Sequence, residues 1–138
     1  MKIILDTNVF ISGVFFGGLP YQILDAWRNG KFDIVLSEDI FNEYQRVAHE
    51  LSKQFKEVDI STFLDLLTVN AIWVEAPQLP VNVSADPDDD KFLACALASR
   101  TKFIVSGDKH LLTVSGYRSI AIIKPSLFTE RHLKKKKR

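Results

Sequence analysis

Short runs of β-branched and aliphatic residues alternate along this chain with longer segments of helical period, and that alternation admits few folds. The apolar runs are residues 2–5, 32–36, 71–74, 103–105 and 120–123. Apart from Lys2 and Asp33 they are continuous rather than alternating with polar residues, as strands buried on both faces must be. Between them lie amphipathic segments. One opens at Pro20 and closes at Gly30, with Ile23, Leu24 and Trp27 on one face. Ser37 caps the next, whose stripe is Ile40, Phe41, Tyr44, Val47, Ala48 and Leu51. Residues 59–70 repeat the pattern through Phe63, Leu66 and Leu67, and residues 88–100 do so through Phe92, Leu93, Ala96 and Leu97. A short helix is expected after Asp108. Strands that alternate with helices predict a parallel five-stranded sheet covered on both faces.

With 138 residues, this fits one domain over residues 1–128, followed by a basic tail over 129–138 that is expected to be disordered. The net charge of +1 hides a segregation, because the last five residues are all basic. Without them, thirteen basic side chains face seventeen acidic ones, a body charge of −4. A simple nucleic-acid-binding module carries a basic surface instead. The tail, residues 134–138, either attracts phosphates or solubilises the chain end. Cys95 is the only cysteine, which excludes a disulfide framework or a thiolate zinc site. No secretory signal opens the chain, and the uncharged stretch 7–24 contains three glycines and Pro20, so it is no membrane span. A reducing cytoplasm is the expected setting.

Acids stand where such a sheet binds ligands, in the crevice at the carboxyl ends of its strands. Asp6 ends the first strand, and Asp108 follows the fourth within Val105-Ser106-Gly107-Asp108. Taken singly, Asp6 could stabilise a turn and Asp108 could cap a helix. Glu43 falls at the edge of its helix's apolar stripe, where it either overhangs a cleft or forms a solvated flank. In Asp86-Pro87-Asp88-Asp89-Asp90, acids satisfy a helix N-terminus, but three consecutive aspartates exceed what a cap needs. Extending the helical phase backwards turns Asp89 inward, with Asp88 and Asp90 roughly 90–110° to either side.

Two carboxylates about 4 Å apart repel by ~4 kcal/mol at an effective dielectric near 20. Three or four together would exceed what a domain with ~5–15 kcal/mol of stability tolerates. Either protons are retained or a divalent cation neutralises the cluster. An all-oxygen ligand set suits Mg²⁺ or Mn²⁺, which activate water and steady the leaving oxygen of a phosphodiester.

Leu5-Asp6-Thr7-Asn8, the helical Glu43, Asp89 with its following apolar phase, and Val105-Ser106-Gly107-Asp108 occur in that order. Together they resemble the PIN-domain nucleases from Met1 to about Phe128, and Asp86 to Leu93 is most similar to the branch of toxins from prokaryotic toxin–antitoxin systems. The resemblance implies a three-layer α/β/α sandwich with a central, mainly parallel sheet. It implies Mg²⁺- or Mn²⁺-dependent cleavage of single-stranded RNA or exposed RNA loops, leaving a 5′-phosphate, and an antitoxin protein as partner. Asp6, Asp89 and Asp108 match the family's metal ligands, and Glu43 matches its helical glutamate. Asn8 and Ser106 match positions that orient the first aspartate and a metal-bound water. Asp86 and Asp90 stay open as substitutes for Asp89. A homodimer is plausible from sheet edges and apolar helices.

Two other readings compete. A non-catalytic RNA-binding or interaction module could keep the same fold. A phosphotransfer enzyme like the haloacid-dehalogenase phosphatases could use Asp6 as nucleophile, but it would want a second aspartate where this chain has Asn8. The three histidines, His49, His110 and His132, are scattered. Phe15-Phe16 is either a platform for a base or partner helix, or a packing pair.

Overall fold

The computed structural model describes residues 1–134. Five strands, β1 (Lys2–Leu5), β2 (Asp33–Leu36), β3 (Ile72–Trp73), β4 (Phe103–Val105) and β5 (Ala121–Ile123), form one sheet in the order β3-β2-β1-β4-β5. Every pairing is parallel. Successive strand residues face opposite sides of a sheet, yet Ile3, Ile4 and Leu5 are all fully buried, as are Ile34, Val35 and Leu36. Both faces are therefore covered, as the continuous apolar runs require. The helices that cover them are α1 (Thr7–Phe15), α2 (Gly18–Arg28), α3 (Glu38–Ser52), α4 (Ile60–Asn70), α5 (Asp90–Ser99), α6 (Lys109–Thr113) and α7 (Pro125–Phe128). The result is the three-layer α/β/α arrangement.

The strand order creates a switch point. From β1 the chain goes to β2 on one side, while β4 takes the other. Crossover connections leave this edge in opposite directions, which opens a crevice at the carboxyl ends of β1 and β4. Register aligns Leu5 with Val105, so Asp6 and Ser106 are the first residues beyond the sheet on adjacent strands. The Asp6 N–H extends the ladder by one bond, to the Val105 carbonyl at 3.0 Å.

Helix α1 was not foreseen in the apolar stretch after Asp6. It packs closely on α2, and a Cβ at Gly13 would come within 2.6 Å of the Leu24 side chain and 2.8 Å of the Pro20 carbonyl. The two helices meet at 92°, a corner turned through Gly17 and Gly18 at φ of 85° and 68°, which side-chain-bearing residues rarely adopt. Phe10 of α1 stacks on Tyr44 of α3, with centroids 4.4 Å apart, and the Tyr44 hydroxyl donates to the Leu5 carbonyl. Burying each ring stabilises the fold by roughly 1.5–3 kcal/mol and fixes α1 and α3 beside the end of β1. Among the described residues no single helix is long and apolar enough to cross a membrane.

Three boundaries differ from expectation. Strand β3 is only two residues long and lies at the sheet edge, with Ile72 and Trp73 exposed. The helix expected from residue 88 begins instead as a 3-10 turn, Pro87–Asp89, before α5. The chain also does not fray at residue 128. Thr129–Leu133 continues α7 as a π-helix with Thr129 buried, and His132 packs on the Phe128 and Phe103 rings. The rest of the expected tail, residues 135–138, lies outside the described residues.

Candidate active site

Asp6 caps α1 from the end of β1 and is 5% exposed. Its Oδ2 accepts a 2.7 Å bond from the Ser106 hydroxyl, and the same Ser106 Oγ accepts the Asp108 N–H at 3.0 Å. One fully buried serine thus ties the acid after β1 to the loop after β4. Asp108 begins α6, with Oδ1 accepting the His110 N–H at 2.9 Å, so its capping role and its place in the crevice coexist. Burial pushes the Asp6 carboxyl above the usual carboxylate range. The Ser106 bond opposes that shift, and the charges of Asp108 and Glu43 add to it.

Glu43 reaches the crevice from α3. It accepts a hydrogen bond from the Thr7 hydroxyl, next in sequence to Asp6, and a 2.6 Å ion pair from Lys91 of α5. Lys91 also lies 3.3 Å from Asp88, while Arg46 approaches Glu43 at 3.8 Å. Burial lowers the Lys91 pKa, but Glu43 and Asp88 outweigh it and leave the ammonium above its ordinary range. Sequence reasoning missed Thr7 and Lys91. A lysine after three aspartates reads as part of a solvated helix start, and only the fold brings it to Glu43.

The acidic run divides by function. Asp86 caps the 3-10 turn, with Oδ1 accepting the Asp88 N–H at 3.0 Å. Asp90 is buried, and its two oxygens accept the N–H groups of Val83 at 2.9 Å and Ser84 at 2.8 Å. As a substitute for Asp89 it is therefore already committed: it anchors the loop before α5. In Asp90→Ala those two amides lose a charged acceptor, and unfolding in urea is expected to show a loss of about 3 kcal/mol. A loss under about 1 kcal/mol would mean that the loop holds without it.

Asp89 alone faces the other acids. Its Oδ2 is buried with no hydrogen-bond partner. Its pKa is raised to about 7, by burial first, then by Asp108, and by the charges of Asp6 and Asp86. Asp6, Asp89 and Asp108 thus feel one another across a single crevice. As they stand, among the described residues no three His, Cys, Asp or Glu side chains are spaced to enclose a metal ion. The donor set nevertheless fits a hard divalent cation. It is all oxygen, one oxygen is buried without a partner, and the local repulsion is of the kind a cation or proton relieves.

Asn8, expected with Ser106 to orient the first aspartate and a metal-bound water, is exposed on α1 and does not bond Asp6. That contact comes from Ser106. Cys95 is fully buried in α5, and burial pushes its thiol up to about 12, well outside nucleophilic use. Phe15 and Phe16 pack edge-on against Phe55, with Phe16 60% exposed.

A protein-family model described as PIN domain matches residues 2–110. A protein of Methanocaldococcus jannaschii, described as Uncharacterized protein MJ1680, is 31% identical over 118 residues, spanning 83% of this chain and 75% of that one. Among solved structures, a chain of VapBC2 from Rickettsia felis, crystallised bound to a DNA fragment from their promoter, matches with a TM-score of 0.60. It covers 90% of this chain and 98% of that one at 13% identity, a likeness of fold.

Proposed function

The chain belongs to the PIN-domain family, whose members are generally nucleases, and we propose that it is a divalent-metal-dependent endoribonuclease, the toxin of a toxin–antitoxin pair. What supports this reading is a buried Asp89 oxygen left without a hydrogen-bond partner, on a carboxyl raised by burial and by the charges of Asp108 and Asp6. Asp6, Asp89 and Asp108 would hold Mg²⁺ or Mn²⁺ directly, and Glu43 directly or through water. A cation so held lowers the pKa of bound water and stabilises charge on a phosphodiester.

The chain's own residues organise that chemistry. Ser106 fixes the Asp6 carboxylate and, through the Asp108 N–H, the start of α6. Thr7 and Lys91 hold Glu43 at the crevice wall. Burial and Asp108 raise the Asp89 carboxyl to about 7, so a bound cation would displace a proton there. The toxin role, with an antitoxin as partner, draws support from the fold shared with the VapBC2 chain. Exposed Phe16, Leu19 and Tyr21, and the edge residues Val69, Ile72 and Trp73, offer apolar surface for an antitoxin or a homodimer. The expected setting is the cytoplasm.

The second reading, a non-catalytic RNA-binding module, has in its favour the engagement of Glu43 by Lys91 and the lack of a ready-spaced ligand group among the described residues. RNA digestion with and without a chelator separates the two. Wild type is expected to cut single-stranded RNA with Mg²⁺ or Mn²⁺ and to stop on chelation, and Asp89→Asn is expected to be inactive throughout. Tight RNA binding without cleavage under any divalent ion would favour the second reading.

A further inference from the structure

A cavity of about 410 Å³ opens beside the acidic crevice, between α3, the loop before α5 and α5 itself. Asp90, at the start of α5, anchors the loop through the Val83 and Ser84 N–H groups and lines the cavity. The cavity has two kinds of wall. Leu79 and Pro87 supply apolar surface, and Asn42, Gln78 and Asn82 bring three amide side chains, all on exposed residues. Lys91 lines it too, and its ammonium binds Glu43 at 2.6 Å. One side chain therefore separates this cavity from the acids of the crevice.

The chemistry of the walls selects a ligand. Asp39, Asp88 and Asp90 also line the cavity, and three carboxylates repel a phosphate. Lys91, the one cation in the wall, is already paired with Glu43 and Asp88. A planar neutral group suits the site better: apolar surface takes its face, and amides and carboxylates take its edge. The volume lies within the range of small-molecule pockets. Amides bond both donors and acceptors on a base edge; a carboxylate accepts well from an exocyclic amino group, whereas uracil offers it one imino N–H flanked by two carbonyl oxygens that repel it.

We propose that this cavity holds one unpaired nucleobase of the substrate, next to the phosphodiester at the acidic crevice, and favours bases whose pairing edge carries an amino group over uracil. The inference rests on the nuclease reading above and adds to it a base-selective subsite. A base in the cavity must be unstacked, so a single strand or loop enters more readily than a duplex. Asn42, Gln78 and Asn82 are specificity residues here and take no part in bond cleavage.

The test has two arms. In the first, wild type and the Asn42→Ala, Gln78→Ala and Asn82→Ala variants digest an RNA oligonucleotide randomised around one junction, and the cut ends are sequenced. Wild type is expected to prefer an amino-bearing base at one flanking position over uracil by at least about tenfold, the discrimination typical of good base-edge contacts. The variants are expected to lose most of that preference while cutting the pooled substrate at a rate within about threefold of wild type. Cleavage with the same base profile in wild type and all three variants overturns the subsite and leaves the nuclease reading intact. In the second arm, fluorescence anisotropy measures binding of short adenine-, cytosine- and uracil-only RNAs to Asp6→Asn and to Asp6→Asn with Asn82→Ala. Weaker binding of the uracil RNA to the first protein, lost in the second, supports the subsite even if no cleavage is found. Equal binding of all three RNAs to Asp6→Asn overturns it.

Discussion

Asp6→Asn is expected to lower the rate of RNA cleavage by about 10³-fold or more while leaving the fold intact and the protein as stable as wild type, or slightly more so. The two halves of that result have opposite signs, and both follow from one carboxylate. A charged ligand to a catalytic cation contributes several kcal/mol of charge stabilisation, and each ~1.4 kcal/mol lost is a factor of ten in rate. The same charge is a cost to the folded chain. Asp6 is buried, burial pushes its pKa up, and the charges of Asp108 and Glu43 push it further. An asparagine keeps the shape, the backbone bond to Val105 and an oxygen for the Ser106 hydroxyl, but drops the repulsion. Unfolding in urea should therefore give a midpoint at or above that of wild type, by up to about 1 kcal/mol. A non-catalytic module predicts no change in its RNA interaction. An inactive but clearly destabilised variant would mean that Asp6 is a structural cap, and the site assignment would have to be withdrawn.

The legibility of this site in the sequence was uneven, for physical reasons. The sheet could be read because its strands are short unbroken apolar runs, and a parallel sheet buried on both faces leaves no other pattern. Asp6 and Asp108 could be located because each follows such a run. Helix α1 was hidden by the same rule. Thr7–Phe15 has five buried residues among nine, is rich in β-branched side chains and carries Gly13, so no clear polar face marks its period. Its cap gives no local signal either, since Asp6 turns its side chain to Ser106 instead of bonding the α1 amides. Phase placed Asp89 inward but could not say how Asp90 would be used. The loop amides that occupy Asp90 belong to Val83 and Ser84, and their approach depends on how the proline-punctuated loop folds back. Thr7 and Lys91 were beyond reach for a related reason: each touches Glu43 across a long sequence separation, 36 and 48 residues. The end at residue 128 was set by polarity, yet the π-helix beyond it is held by Thr129 and by aromatic contacts of His132, which composition does not reveal.

In chelator, the stability of the wild-type protein is expected to fall as pH rises from about 4 through about 7, more steeply than that of Asp89→Asn. The Asp89 carboxyl, ordinarily near 3.8, is raised to about 7 in the fold, chiefly by burial and by Asp108. Between those values the folded state binds more protons than the unfolded state, so stability is greatest below the unfolded pKa and is lost through the folded one. A full shift of that size corresponds to roughly 4 kcal/mol, but Asp89 is only partly buried and solvent screens its neighbours, so about 1–2 kcal/mol is expected. Asparagine at residue 89 has no proton to lose, and the difference between the two stability curves isolates that one group. Saturating Mg²⁺ or Mn²⁺ should reverse the trend in wild type, because the ion binds the deprotonated carboxylates and gains affinity as pH rises. At about a hundred times its dissociation constant a ligand adds ~2.7 kcal/mol, so the ion should raise the melting temperature of wild type by several degrees at pH 8 and by little at pH 5. Parallel curves for wild type and Asp89→Asn in chelator, with no upward shift in Mg²⁺ or Mn²⁺, would show that the acids at the switch point neither repel one another nor share a cation.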